Sequence, residues 1–194
     1  MSKELTIIDP GSRAKWRSWL EKNHQQPAQV IWVVIAKKNP EKAGLPYDEA
    51  VEEALCFGWI DSTTRAYDEK HFIQSFTIRK PKSPWSASNK TRVKRLIKDG
   101  LMMPAGHASI EAAKANGYWT IFDDVEKLII PNDLKTAFGK NKKAEKFYQG
   151  LGSSDQKLFL RWIVLAQKEE TRAKRIAEII ACGNEGKKPK QLIQ

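Results

Sequence analysis

Trp59-Ile60-Asp61-Ser62-Thr63-Thr64-Arg65-Ala66-Tyr67-Asp68-Glu69-Lys70-His71-Phe72-Ile73-Gln74-Ser75-Phe76-Thr77-Ile78-Arg79 decides the fold. It reads as two strands, Trp59–Tyr67 and His71–Arg79, rich in β-branched and aromatic residues and joined by Asp68-Glu69-Lys70. A regular hairpin closed by that loop sets Tyr67 opposite His71. Ile60, Ala66, Phe72, Phe76 and Ile78 then share an apolar face. Trp59, Asp61, Thr63, Arg65, Ser75, Thr77 and Arg79 share a polar one. In this register Asp61 lies opposite Thr77 and diagonal to Arg79. One bulge would shift the pairing by a residue.

Upstream, Val30-Ile31-Trp32-Val33-Val34-Ile35-Ala36 is a run of strand length without alternation, as expected of a strand covered on both faces. Ser12 is an N-cap for a helix to about His24, with Trp16, Trp19 and Leu20 as its apolar stripe. After a Lys-, Gly- and Pro-rich loop at 37–46, a helix at about 47–57 turns Ala50, Val51, Ala54 and Leu55 inward, and Gly58 suits its end. Downstream, Ser86 caps a helix to about Asp99, with Val93, Leu96 and Ile97 inward. Pro104 opens another that ends before Gly117. Trp119–Ile130 is acidic and irregular. Beyond it the pattern is helical near 133–138 and 143–151, then from a cap at Ser154 and from a cap at Thr171, with a frayed tail after Gly183. The expected class is α+β: a small antiparallel sheet of about three strands covered by helices in a domain over 1–120, with a helical module over 131–186 packed on it.

The chain has 194 residues, 29% of them charged and 41% hydrophobic, with a formal net charge of +11. That balance favours anionic partners. No apolar run approaches the roughly 20 residues of a membrane-spanning helix. The first residues lack the apolar core of a signal peptide, so a cytoplasmic protein is expected. Cys56 and Cys182 fall inside helical patterns and read as reduced thiols. There is no short-spaced Cys pair, His-x-x-x-His, glycine-rich phosphate loop or Gly-x-Ser-x-Gly. No metal, cofactor or catalytic residue is assigned.

Residues 70–98 contain no Asp or Glu. Within them Arg79, Lys82, Trp85, Ser86, Asn89 and Arg92 form the candidate binding set, with Trp59 and Asp61 as the wall of a pocket beside it. A helix start at Ser86 offers backbone N–H groups and a positive dipole end to a phosphate or carboxylate. The competing reading pairs Arg79 with Asp61, leaves Ser86 capping its own helix and packs Trp85 as a staple. The expected partner is an acidic small molecule or an acidic protein surface. Nucleic acid is the alternative, because the Ser86–Asp99 helix carries Lys90, Arg92, Lys94, Arg95 and Lys98. An enzyme using Asp61 as general base beside Arg79 is a third reading. Cys56 sits at a helix C-terminus, whose dipole opposes thiolate formation, and reads as structural. Trp59, Trp85 and Trp119 lie off the predicted core stripes.

Tyr47-Asp48-Glu49-Ala50 followed by Glu53-Ala54-Leu55-Cys56-Phe57-Gly58-Trp59-Ile60-Asp61 resembles the first block of the YdeI/OmpD-associated, or bacteriocin-protection, family. Arg79, Lys82-Ser83, Trp85-Ser86, Asn89 and Arg92 resemble a second block, continued by Gly100, Met102 and Pro104-Ala105-Gly106. Pro131, Asp133-Leu134, Ala137, Ala144, Phe147, Leu151 and Ser153, closing with Trp162-Ile163, Ala166, Lys168, Glu170-Thr171-Arg172 and Arg175-Ile176, resemble the family's carboxy-terminal module. Ser62 stands where that pattern has Gly. The resemblance implies a non-enzymatic stress- or resistance-associated protein and supplies no reaction.

Overall fold

The computed structural model describes residues 5–26, 30–37 and 44–193. Most of the loop expected at 37–46 lies outside them. The chain divides into two compact units, Met1–Trp119 and Thr120–Gln194.

The first unit is α+β. Its elements are β1 (Thr6–Ile8), α1 (Arg13–Asn23), β2 (Ile31–Ala36), α2 (Tyr47–Cys56), β3 (Trp59–Ala66), β4 (His71–Ile78), α3 (Ala87–Lys98) and α4 (Pro104–Ala115). The sheet order is β1-β2-β4-β3. It is a mixed sheet, because β1 runs parallel to β2. At three residues, β1 is too short to show a period, and it adds a fourth strand to the three legible in sequence. β2 is buried on both faces. Ile31, Val33 and Ile35 enter the main core with Trp16, Leu20, Leu55 and Phe76, while Trp32 and Val34 join Ile73 on the opposite face. There the Arg65 guanidinium covers the Trp32 ring at 4.5 Å.

The hairpin loop is held by the Asp68 carboxylate, which accepts the N–H groups of Lys70 and His71 at 2.7 Å each. From it the ladder runs in the expected register through Ala66↔Phe72, Arg65↔Ile73 and Thr64↔Gln74. Between Asp61 and Thr64 it then slips, so that Asp61 faces Phe76, Ile60 faces Thr77 and Trp59 faces Ile78. The bulge carries an extra residue on β3, and the Thr63 N–H is satisfied by Ser75 Oγ at 2.7 Å. Beyond it the faces exchange: Trp59 turns into the core and Ile60 leaves it. Asp61 opposite Thr77, as a regular hairpin requires, is thereby corrected.

Ser12 and Ser86 cap α1 and α3 through their hydroxyls. Ile97, expected inward, is exposed, whereas Val93 and Leu96 are buried. α2 buries Ala50, Val51, Ala54 and Leu55 as expected.

The second unit is helical among its described residues: α5 (Asp123–Glu126), α6 (Asn132–Gly139), α7 (Lys142–Gln149), α8 (Ser153–Val164), α9 (Glu169–Asn184) and a 3-10 turn at Lys190–Leu192. Its core gathers Leu134, Phe138, Tyr148, Phe159, Ile163 and Ile179. α9 starts before Thr171, with Lys168 in the capping position. Its first turn holds Glu169 and Glu170, whose charges suit a helix N-terminus without a hydroxyl cap. Instead of fraying, the tail buries Leu192 and pairs Lys188 with Asp155 at 2.8 Å. No helix among the described residues is long and apolar enough to cross a membrane.

α4 lies against the last carbonyls of α2 where only glycine fits. A Cβ on Gly106 would meet Cys56 O and, at 2.8 Å, Leu55 O, both backbone atoms, whereas one on Gly139 meets nothing within 4 Å. Gly106→Ala is therefore expected to cost about 1–3 kcal/mol. Gly139→Ala is expected to be neutral or to stabilise by about 0.5 kcal/mol. Thermal unfolding followed by circular dichroism distinguishes them; equal effects would contradict this packing.

Candidate anion-binding site

Arg79 closes the hairpin ladder. Its N–H donates to Gly58 O at 2.9 Å. Gly58 turns the chain from α2 into β3 at φ +74, and a Cβ there would strike Ala105 O at 2.8 Å. Glycine thus serves both the left-handed turn and the approach of α4. The following segment is fixed as well. Ser83 N–H donates to Lys80 O at 2.9 Å, and the Asn116 side-chain amide donates to Pro81 O at 2.8 Å.

This scaffold holds the Arg79 guanidinium over the Trp85 ring, with Cζ 3.9 Å from the centroid. Arg79 is only 6% exposed and Trp85 only 1%. Nη1 donates to Ser83 O at 3.3 Å and Pro84 O at 3.0 Å. Nε and Nη2 of Arg79, and Nε1 of Trp85, are enclosed donors with no acceptor among the described residues. The carboxylate that sequence placed diagonal to Arg79 is engaged elsewhere: Asp61 Oδ2 accepts the Tyr47 hydroxyl at 2.7 Å. Burial, then this carboxylate, push the Tyr47 hydroxyl above its ordinary range.

Burial pushes Arg79 down to about 10, and Asp61 opposes that shift only through space. The group is still a cation at neutral pH. A fall of that size corresponds to a penalty on the order of 3 kcal/mol on the charged form, part of which a bound anion would recover. Stacking on Trp85 offsets some of it, by about 2 kcal/mol for a desolvated pair.

Arg79 also lines a cleft of about 460 Å³ with His24, Phe57, Gly58, Ile78, Lys80, Pro81, Ala105, Ser109 and Ala112. Among the other sequence candidates, Lys82 is exposed on the same turn. Ser86 Oγ accepts the Asn89 N–H at 3.2 Å and so caps α3. Arg92 reaches across to Asp48 at 2.6 Å and touches Asn89 Oδ1 at 3.4 Å. Trp59 is buried and donates to His24 O at 3.1 Å. Of the set, Arg79 and Trp85 are stacked together, and Ser86, Asn89 and Arg92 have partners of their own. Trp119 lies 5.0 Å from Trp85, its face flanked by Lys90 and Lys114.

Two further constellations escape the sequence pattern. Glu53, almost wholly buried, accepts from Arg13 Nε at 2.6 Å and Arg17 Nη1 at 2.8 Å. Glu52 accepts from Arg13 at 3.1 Å and from Arg95. Acidic residues inside the apolar stripe of α2 are the one sequence signal of this network. Beside it, burial and Glu53 push the Cys56 thiol up to about 11, against the pull of Arg17. In the second unit a groove of about 770 Å³ runs along α6 and α9 over Ala137, Ala173, Ala177 and Ala181. Part of its polar rim is self-paired: Arg172 grips Asp133 at 2.6 and 3.0 Å, and the Asn184 amide donates to Asn141 at 3.3 Å. Asp61 lines none of the four clefts described.

Residues 8–109, over half the chain, match a family model described as a domain of unknown function (DUF8412), and the chain belongs to that family. Residues 127–186 match the model described as bacteriocin-protection, YdeI or OmpD-associated. The resemblance seen across nearly the whole sequence is thus shared between two families, with the candidate-site residues in the first and the α6–α9 groove in the second. No curated protein and no solved structure matches the chain.

At pH 8, one thiol per native chain is expected to react with a disulfide reagent, the half-exposed Cys182, and two in guanidinium. Fast labelling of Cys56 would contradict its burial. In the second unit, Lys157 and Arg161 hold the Glu126 carboxyl below its usual range, and Arg172 does the same for Asp133. Depressed carboxyls contribute stability above their unfolded value, near 4, and lose it as pH falls through the folded one. Amide protection in α8, taken relative to the intrinsic exchange rate at each pH, is expected to fall over that acid range. Glu126→Gln should flatten the dependence, and an unchanged profile would contradict the assignment.

Proposed function

We propose that this chain is a non-enzymatic, cytoplasmic, stress- or resistance-associated protein whose first unit holds an acidic ligand through Arg79. The observation that carries the reading is the enclosed guanidinium, cationic at neutral pH, with two donors and a neighbouring indole donor lacking acceptors among the described residues. Buried donors of this kind are normally satisfied, and an oxyanion is the group that satisfies several at once. Lys80 and Lys82, exposed on the adjoining turn, add attraction at the rim. The resistance association rests on the printed description of the family matched by residues 127–186.

The geometry favours a discrete ligand over nucleic acid. Arg92 and Arg95, the two arginines of α3, turn to Asp48 and Glu52 on α2, which removes them from an open reading face.

The test is thermal unfolding monitored by tryptophan fluorescence, with sodium sulfate compared with sodium chloride at equal ionic strength. Sulfate at 100 times its dissociation constant is expected to add about 2.7 kcal/mol. Arg79→Lys, which keeps a charge but loses the planar fork, should remove most of the specific gain, and the exposed Lys80→Gln should reduce it. Equal stabilisation by both salts, or an unchanged sulfate effect in Arg79→Lys, would contradict the reading.

A further inference from the structure

The cleft beside Arg79 is mostly apolar. Phe57, Ile78, Pro81, Ala105 and Ala112 form its walls, while its cationic side chains are Arg79 and Lys80. Its volume, about 460 Å³, exceeds what an inorganic anion fills and falls in the range of small-molecule sites. A polyphosphate needs several converging cations or a helix N-terminus to spread its charge. The cationic side chains here number two, the α3 start is closed by Ser86, Arg92 is paired with Asp48, and the α4 start on the cleft wall opens on Pro104, which has no N–H to give. The side chains on α4 that face the cleft are small, which keeps it open. A planar guanidinium held over an indole, Cζ 3.9 Å from the ring centroid, suits a planar carboxylate better than a tetrahedral group, because guanidinium and carboxylate can pair edge to edge in one plane.

From these features we infer that the ligand is a monocarboxylate with an apolar, preferably aromatic, body. Its head meets Arg79 and its body lies between Phe57, Ile78 and α4. This rests on the reading that Arg79 holds an anion, and it names the class of that anion. Because Nε and Nη2 are enclosed, ligand contact with them requires the Lys80–Trp85 turn to move against the hydrogen bonds that hold it.

Calorimetric titrations of the full chain with acetate, 2-naphthoate and inorganic phosphate, at fixed ionic strength, test the inference. 2-Naphthoate is expected to bind at least tenfold more tightly than acetate or phosphate. Ala112→Leu fills the cleft from α4 without touching Arg79. It should lower 2-naphthoate affinity at least tenfold and leave acetate binding as it was. Phosphate binding that depends on Arg79, together with 2-naphthoate no tighter than acetate, would overturn the ligand class and leave the anion site standing. No Arg79-dependent binding by any of the three would overturn both. An Ala112→Leu protein that binds 2-naphthoate unchanged would also sink the inference, since the body would then lie elsewhere.

Discussion

The bulge between Asp61 and Thr64 is the constraint on which the first unit turns. One extra residue on β3 exchanges the faces of its first half. Trp59 thereby enters the core beside Trp19, with ring centroids 5.9 Å apart. Asp61 is set opposite Phe76, where the Tyr47 hydroxyl from α2 occupies its carboxylate. Arg79, at the end of the neighbouring strand, is left over an indole ring without a hydrogen-bonded carboxylate among the described residues. A regular ladder would have brought Asp61 toward Arg79 and closed the site as an internal ion pair.

Burying a cation is expensive, and proteins usually match it with a carboxylate. Even the more exposed arginines of this chain have carboxylate partners: the buried Glu52 and Glu53 answer Arg13, Arg17 and Arg95, and Asp133 answers Arg172. Against that background Arg79 stands apart. Its two carbonyl acceptors and its ring contact hold the guanidinium in place but do not neutralise it. Holding an incompletely satisfied cation in place leaves the movement of the Lys80–Trp85 turn as the reorganisation that an oxyanion requires.

Much of this architecture is legible in the sequence. The unbroken run of β2 announces burial on both faces, and Ser12 and Ser86 announce the starts of α1 and α3. Arg79 and Trp85 stand out because no acidic residue lies near them in the chain. Their stacking is not legible, because it depends on how the Lys80–Trp85 turn folds back. Nor is the partner of Asp61, since a bulge leaves no mark in a two-residue alternation. Trp59 reads as off the core because of that bulge, and Trp85 because of that turn, yet both are buried. The start of α9 is misplaced because Thr171 has the chemistry of a cap while Glu169 and Glu170 do the electrostatic work from inside the first turn.

The central claim is that the Arg79 guanidinium is an enclosed donor awaiting an oxyanion. The most direct measurement is the Nε–H resonance of Arg79, observed by nitrogen-15 NMR and assigned by its loss in Arg79→Lys. The account predicts a signal protected from solvent exchange in the free protein, moving downfield as a carboxylate is added. A signal in fast exchange with water, or one that stays fixed through a saturating titration, would contradict it.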